Sequence, residues 1–140
     1  MHQGYDLIGD VHGCGETLII LLEQMGYRKI NGVYQHKSRK VVFLGDIIDR
    51  GPHIRLACEI VRGMVDAGHA HMIMGNHEYN LVTYMTPAPA GVDRPYLREH
   101  TERNSFIVKQ TVEQFADHPE EFKDYLEWFT ELPLFIEFDD

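Results

Sequence analysis

Cysteine is scarce in this chain of 140 residues, which contains only Cys14 and Cys58. The two lie far apart and form no Cys-x-x-Cys pair, so the usage suits a reducing compartment rather than a disulfide scaffold. Neither cysteine is followed by an arginine at the spacing that cysteine phosphatases require. The chain also lacks the Gly-x-x-x-x-Gly-Lys-Ser/Thr loop of P-loop nucleotide hydrolases. These two classes of enzyme are therefore disfavoured.

Long apolar runs and an excess of positive charge are missing as well. No run approaches the roughly 20 apolar residues of a membrane helix, and the start of the chain lacks the features of a secretory signal. There are 13 basic residues against 22 acidic ones, which argues against a protein that coats nucleic acid. A phosphate-containing substrate stays possible, because bound divalent cations reverse the local potential. We expect a cytoplasmic protein without a membrane partner.

The apolar residues that are present, 44% of the chain, predict one α/β domain over residues 1–140. Short apolar runs at 5–8, 41–44 and 72–74 each end in glycine and a polar residue, which predicts buried strands. Helical spacing of apolar residues at 16–25 and 54–67 places a helix after each of the first two strands. This alternation favours a mostly parallel sheet flanked by helices, with right-handed crossovers.

Beyond these elements the pattern is less regular. Residues 33–36 predict a short strand or hairpin arm, 78–85 a helix, 86–95 a rim or lid loop and roughly 96–115 a further helix. Another helix begins at 118–121 with proline near its first position and acidic residues in its first turn. Residues 134–138 predict a last strand. Arg94, Arg98 and Arg103 follow the loop and are expected on a solvated helix face rather than in contact with substrate.

Polar side chains follow each of the three predicted strands. They are Asp10 and His12 after the first, Asp46, Asp49 and Arg50 after the second, and Asn76, His77 and Glu78 after the third. Taken singly, each group has a structural explanation as a polar loop, an acid-rich turn before a helix, or a helix cap. Taken together they are more specific, because the carboxyl ends of parallel strands meet at one edge of a sheet.

This mixture of donors indicates a metal site. Carboxylate and imidazole ligands suit Mn²⁺, Fe or Zn²⁺ better than Ca²⁺ or a thiolate-bound ion. Asp46 follows the central strand, where a carboxylate can bridge two metals about 4 Å apart, the geometry used for in-line displacement at phosphorus.

The motifs GDVHG at 9–13, GDIIDRG at 45–51 and GNHE at 75–78 resemble the three N-terminal motifs of the calcineurin-like metallophosphoesterases. Within that family they are similar to the branch of phosphoprotein phosphatases and symmetrical diadenosine tetraphosphatases. The resemblance implies the N-terminal part of an αββα sandwich, and it implies two divalent metal ions, expected to be Mn²⁺ with Fe or Zn²⁺ as alternatives.

The resemblance also implies metal ligands: Asp10 and His12 for one ion, Asp46 as the bridge and Asn76 for the second ion. The nucleophile would be hydroxide held by the metals rather than a side chain.

Three further residues acquire catalytic roles by the same resemblance. His77 would be the general acid, oriented and kept charged by Asp49, and Arg50 would hold a phosphate oxygen. For Glu78 we expect a structural role only. The implied reaction is hydrolysis of a phosphomonoester or phosphoanhydride in a phosphoprotein or a dinucleoside polyphosphate. Protein phosphatases usually carry arginine where Met74 stands, which favours nucleotide-type substrates.

The chain departs from the family at its C-terminus. Family members carry further histidine ligands in a His-Gly or His-Ala segment and in a later one, and the sequence stops where the first should follow. We therefore expect a domain truncated at its C-terminus, with weak metal binding. The remaining histidines are expected on the surface rather than as replacement ligands: His36, His69, His71, His100 and His118.

An alternative interpretation is a catalytically incomplete fragment, or a non-catalytic binding or regulatory module on the same scaffold. A fragment would leave a sheet edge and an apolar face uncovered, which predicts self-association.

Overall fold

A computed structural model of the chain describes residues 4–139. A three-stranded parallel sheet with the order β1-β4-β5 forms its centre, and an antiparallel hairpin pairs β2 with β3. The elements along the chain are β1 (Gly4–Ile8), α1 (Gly15–Gln24), β2 (Arg28–Ile30), β3 (Val33–Gln35), β4 (Arg39–Phe43), α2 (Ile54–Asp66), β5 (Ala70–Met72), α3 (Asn76–Met85), α4 (Glu102–Phe115) and α5 (Pro119–Glu131). The predicted α/β class and parallel sheet flanked by helices are confirmed.

One face of the sheet is buried under helices. Ile8, Phe43 and Met72 are aligned across the three strands, point to the same face and are all buried. Helix α2 contacts both β5 and α1, and its apolar side chains complete this core. Burial of these side chains from water is the main free-energy gain that fixes strand order and register.

The opposite face of the sheet is covered only in part. Leu7 on the edge strand β1 is 67% exposed, although Val42 beside it is buried. The C-terminal segment crosses this face, because the N–H of Met74 donates to the Pro133 carbonyl at 2.8 Å and the Phe138 ring lies 4.1 Å from that of Tyr5. The predicted strand at 134–138 is wrong: the segment is not a strand, since it makes no ladder with β1, β4 or β5.

Other predicted boundaries move by a few residues. The third strand occupies Ala70–Met72 rather than 72–74, since its partners in β4 are Val41–Phe43. The segment 33–36 is confirmed as a hairpin arm, β3. The helix predicted from 96 begins only at Glu102, with Thr101 as its N-cap accepting a hydrogen bond from the Asn104 N–H at 3.1 Å.

Residues 96 and 97 belong instead to the loop, because its two ends pair with each other. The Leu97 N–H donates to the Thr86 carbonyl and the Ala88 N–H to the Pro95 carbonyl, both at 2.9 Å. This pairing draws the backbone away from the helical path. Across residues 4–139, none of the helices has the length and apolar character that crossing a membrane demands.

Candidate active site

The loops after β1, β4 and β5 meet at one edge of the sheet, as the sequence predicts. Ligand atoms of Asp10, His12 and Asp46 all lie within 4.8 Å of one another. The backbone joins the first two loops directly, since the His12 N–H donates to the Asp46 carbonyl at 2.9 Å and the Gly13 N–H to the Ile47 carbonyl at 2.8 Å. Two carboxylates and an imidazole therefore face a common point.

The ring of His12 is oriented by a backbone contact. Its Nδ1 lies 2.7 Å from the Ile48 carbonyl oxygen, which can only accept, so Nδ1 carries the proton. Nε2 is then left with its lone pair. A histidine that donates from one ring nitrogen to a carbonyl and offers the other is the usual arrangement of a metal ligand.

Asn76 brings an amide to the same point. The N-cap of α3 is Gly75, so Asn76 does not cap the helix and its side chain turns to Asp46. With its nitrogen towards Asp46, the amide donates to the two carboxylate oxygens at 3.1 and 3.2 Å. In the opposite orientation the amide oxygen of Asn76 faces the two carboxylate oxygens of Asp46. Three oxygens in contact are favourable only around a cation. The donor set of Asp10, His12, Asp46 and Asn76 thus fits divalent metal ions.

The buried side chain of Glu78 connects the second and third loops through hydrogen bonds. It is fully buried, and its carboxylate accepts hydrogen bonds from the backbone N–H groups of Asp46 at 2.6 Å, Gly75 at 3.0 Å and Ile47 at 3.1 Å. Burial raises the pKa of Glu78, while these three donors act in the opposite direction. The structural role expected for Glu78 corresponds to these contacts.

Glycine allows the loops to approach this closely. A Cβ on Gly45 would lie 2.3 Å from the Gly75 nitrogen, and one on Gly75 would lie 2.3 Å from Asp46 Oδ1. Gly45 also has a φ of +84°, which side chains disfavour. The glycines of the two motifs are therefore required by contact between the loops.

His77 and Asp49 form a pair beside the metal donors. His77 Nδ1 lies 2.7 Å from Asp49 Oδ2, and the carboxylate is fully buried. The His77 ring lies 4.6 Å from the His12 ring, and the backbone N–H of His77 donates to Asp46 Oδ1 at 3.0 Å. Because Nδ1 donates its proton to the carboxylate, Nε2 is the ring nitrogen of His77 that stays available to a ligand at the opening of the site.

Helix α4 supports this pair through residues that the sequence did not single out. Thr111 Oγ1 donates to Asp49 Oδ1 at 2.6 Å and accepts from the Asp49 N–H at 3.0 Å. Gln114 accepts from the Ile54 N–H at 2.7 Å and donates to the Gly51 carbonyl at 2.9 Å. In the sequence, the only signal for these roles is that Thr111 and Gln114 are polar and lie three residues apart, on the inward face of a predicted helix.

Backbone strain is concentrated at the site. Six non-glycine residues between 4 and 139 have positive φ, and five of them are candidate site residues. These five are Asp10, His12, Asp46, Asp49 and Arg50, with φ from 42° to 69°. Left-handed backbone is costly for side-chain-bearing residues and tends to persist at functional sites. The strain supports a functional origin for all five.

The site opens into a cleft of about 810 Å³. Asn76 and His77 line one end of it together with Arg50, whose side chain is exposed. Arg98 and Arg103 also line the cleft. Arg103 lies on an exposed face of α4, as expected, whereas the expectation is wrong for Arg98, which precedes α4 and is carried to this wall by the pairing of the loop ends.

The other histidines lie elsewhere. His100 is stacked between Tyr84 and Tyr96, with ring centroids 3.7 and 4.1 Å away, and His118 is the N-cap of α5. In the part of the chain that the structure describes, the metal-ligand grouping contains Asp10, His12 and Asp46 and no additional histidine.

Fold and site together define an α/β protein in which carboxylate and imidazole groups converge at one edge of the sheet beside a cationic cleft. The chain belongs to the calcineurin-like phosphoesterase family, whose profile matches residues 5–139. The resemblance inferred from the three motifs is thereby confirmed at the level of the family.

Curated relatives share a name. The chain is 33% identical over 135 residues to bis(5'-nucleosyl)-tetraphosphatase PrpE of Halalkalibacterium halodurans, described as asymmetrical, with 96% of this chain and 52% of that protein covered. It is 49% identical over 73 residues to the protein of that name from Oceanobacillus iheyensis, covering 51% of this chain and 29% of the relative. The chain spans about half the length, or less, of these relatives.

Among solved structures, a hypothetical protein from Pyrococcus horikoshii matches with a TM-score of 0.53 at 17% identity. The match covers 91% of this chain and 46% of that one. At this identity the likeness is one of fold alone.

Proposed function

We propose that this site hydrolyses a phosphoanhydride bond of a dinucleoside polyphosphate with two divalent metal ions, Mn²⁺ being the first choice and Fe or Zn²⁺ the alternatives. The observation that carries the proposal is the buried Asp49–His77 pair, which lies beside the donor group of Asp10, His12 and Asp46 and opens into a cleft lined by arginine. The names of the relatives and Met74 in place of an arginine favour nucleotides over phosphoproteins.

The metal ligands in this proposal are Asp10 and His12 for one ion, Asp46 shared between the two, and Asn76 for the second. When bound, the ions supply Lewis-acid polarisation of the phosphoryl group and lower the pKa of a water molecule. The Ile48 carbonyl keeps His12 in the tautomer that leaves Nε2 free for a metal ion.

His77 and Arg50 act on the substrate itself. The oxygen of water forms a bond to phosphorus and releases one proton to solvent, the bond to the bridging oxygen breaks, and His77 delivers the proton from Nε2 to that departing oxygen. His77 then regains a proton from solvent. Asp49 orients the ring through Nδ1 and stabilises its charge. The planar guanidinium of Arg50 binds a phosphate oxygen through two N–H groups, which favours the charge that builds up during the reaction.

The test is hydrolysis of diadenosine tetraphosphate and of p-nitrophenyl phosphate with and without Mn²⁺. We expect manganese-dependent turnover, lowered at least 100-fold in His77→Ala and in Asp46→Asn, because the first removes the proton donor and the second a shared ligand. Asp117→Asn, an exposed change outside the site, is the matched control. A turnover rate that neither His77→Ala nor Asp46→Asn changes would contradict the proposal. No turnover by the wild type would favour an incomplete site or a binding module.

We further propose a cytoplasmic location, which suits the two free cysteines, and self-association through the partly covered sheet face. Leu7 on this face is 67% exposed, and Leu134 and Phe135 in the C-terminal segment are 72 and 73% exposed. Sedimentation should show a concentration-dependent oligomer that Leu7→Lys weakens. A strictly monomeric wild-type chain would exclude this association.

A further inference from the structure

We propose that Arg98, Arg103 and Phe106 form a nucleotide subsite, in which the two arginines bind phosphates beyond the one being cleaved and the Phe106 ring stacks on a base. This rests on the proposed function and deepens it, because the subsite adjoins the same metal centre. None of these residues belongs to the three motifs, and all of them line the cleft.

The charge of the cleft is opposite to that of the chain. With 22 acidic and 13 basic residues the chain carries a net charge of −9, yet four cations and no carboxylate line this cavity. The four are Arg50, Arg98, Arg103 and Lys109. Such local concentration of one sign in an acidic protein attracts an anion with several charges, as a polyphosphate chain has.

The arginines retain donors for a ligand. Within 4–139 no ion pair to a carboxylate involves Arg50, Arg98 or Arg103, whereas Lys109 lies 3.8 Å from Glu113. A guanidinium has five N–H donors, and for Arg98 one of them meets Asn104 Oδ1 at 3.4 Å. The remaining donors of these side chains are those that a phosphate oxygen would take up.

Arg98 is held in place by the start of α4. Its backbone N–H donates to the Thr83 carbonyl at 3.0 Å, which fixes it against α3. Asn104 is itself fixed, because its backbone N–H donates to Thr101 Oγ1 at 3.1 Å and its amide to the Glu99 carbonyl at 2.8 Å. This organisation before binding lowers the entropic cost of capturing a flexible phosphate chain.

Phe106 supplies an apolar surface beside the cations. Its side chain is 77% exposed, the highest exposure among the large apolar residues that the structure describes. Arg103, Phe106 and Lys109 are spaced three residues apart along α4, which places them on one face of the helix. A flat ring between cations is the usual platform for a base, since stacking and phosphate contacts act together in nucleotide binding.

The experiment compares two substrates on the full chain. Diadenosine tetraphosphate has bases and additional phosphates, whereas p-nitrophenyl phosphate has only the phosphate being cleaved. We expect Arg98→Ala and Arg103→Ala each to lower the ratio of kcat/KM for the first substrate to that for the second about tenfold, mainly through KM. Phe106→Ala should lower it about fivefold, and Phe106→Trp should restore it, since the indole keeps the stacking surface.

Arg94→Ala is the control, because Arg94 is an exposed arginine of the same loop and does not line the cleft. Its ratio should equal that of the wild type. A fall of the same size for both substrates in the Arg98 and Arg103 variants would overturn the subsite, as would a ratio that does not change.

A binding measurement separates this inference from the proposed reaction. Calorimetry of ATP with the His77→Ala chain should give a Kd that Arg103→Ala and Phe106→Ala each weaken at least fivefold. If hydrolysis fails but this pattern appears, the subsite stands and the catalytic proposal falls. If ATP binds equally well to all variants, the subsite is wrong even where hydrolysis occurs.

Discussion

Thr111 and Asp49 are separated by 62 residues in sequence, yet they exchange two hydrogen bonds. Thr111 Oγ1 donates to the carboxylate at 2.6 Å and accepts from the Asp49 N–H at 3.0 Å. Both residues are fully buried. Helix α4 is therefore part of the candidate active site, because it fixes the carboxylate that in turn orients His77.

Replacing Thr111 by valine should affect both stability and turnover. The substitution keeps the shape but leaves the Asp49 N–H and one carboxylate oxygen without their partner, at a cost of about 1–3 kcal/mol in the free energy of unfolding. Urea denaturation measures that loss, and kcat should fall because His77 is less firmly oriented by Asp49. Thr111→Ser retains the hydroxyl and should restore both properties. Wild-type behaviour of Thr111→Val would show that the contact is dispensable.

Glu78→Gln tests the contact between the second and third loops. The carboxylate accepts three backbone N–H groups, whereas an amide turns an NH2 towards at least one of them. We expect a loss of about 1–3 kcal/mol in the free energy of unfolding, measured by urea denaturation without metal. Glu59→Gln changes an exposed carboxylate of α2 and should have little effect. Equal stability of the two variants would contradict the role assigned to Glu78.

The pair of Asp6 and Arg39 predicts how stability depends on pH. Arg39 Nε donates to Asp6 Oδ2 at 2.9 Å and Nη2 binds the other oxygen, which holds the pKa of Asp6 below its ordinary value of 3.8. A depressed pKa means that the folded state binds the proton less readily than the unfolded state. The contribution of Asp6 is therefore present above about pH 3.8 and is lost as the pH falls through the lower folded-state value.

Asp6→Asn should accordingly be less stable than the wild type by about 1 kcal/mol at pH 7, a value kept small because Arg39 is 42% exposed. The difference should shrink as the pH is lowered from 4 towards 3 in urea titrations. Asp117→Asn provides an exposed comparison. A difference between Asp6→Asn and the wild type that is constant from pH 7 to 3 would rule out this pair as its source.

The sequence predicted the parts of this molecule that depend on neighbouring residues in the chain. Each motif, with its glycines, lies within a few positions of the end of a strand. A parallel sheet alone therefore brings the three motifs together at one edge. Thr111, Gln114 and Arg98 could not be predicted, because their roles depend on how α4 and the segment before it pack. Thr111 contacts Asp49 across 62 positions of the chain, and Gln114 contacts Ile54 across 60.

The failure at residues 134–138 has a similar cause. A strand requires a partner for its backbone, and local β-propensity does not provide one. In the structure this segment contacts the open sheet face through Phe138 and makes no ladder with the sheet. The predicted helix from 96 likewise failed because pairing between loop ends competes with helical hydrogen bonds.

The most direct test of the metal centre is a calorimetric titration of the chain with Mn²⁺, comparing the wild type with Asp46→Asn and the control Asp117→Asn. Asp46 lies where the three loops meet, so its carboxylate should be needed for uptake. The account predicts Mn²⁺ binding by the wild type and the control, and a Kd at least tenfold weaker for Asp46→Asn. Equal uptake by all three proteins, or no uptake by the wild type, would contradict it.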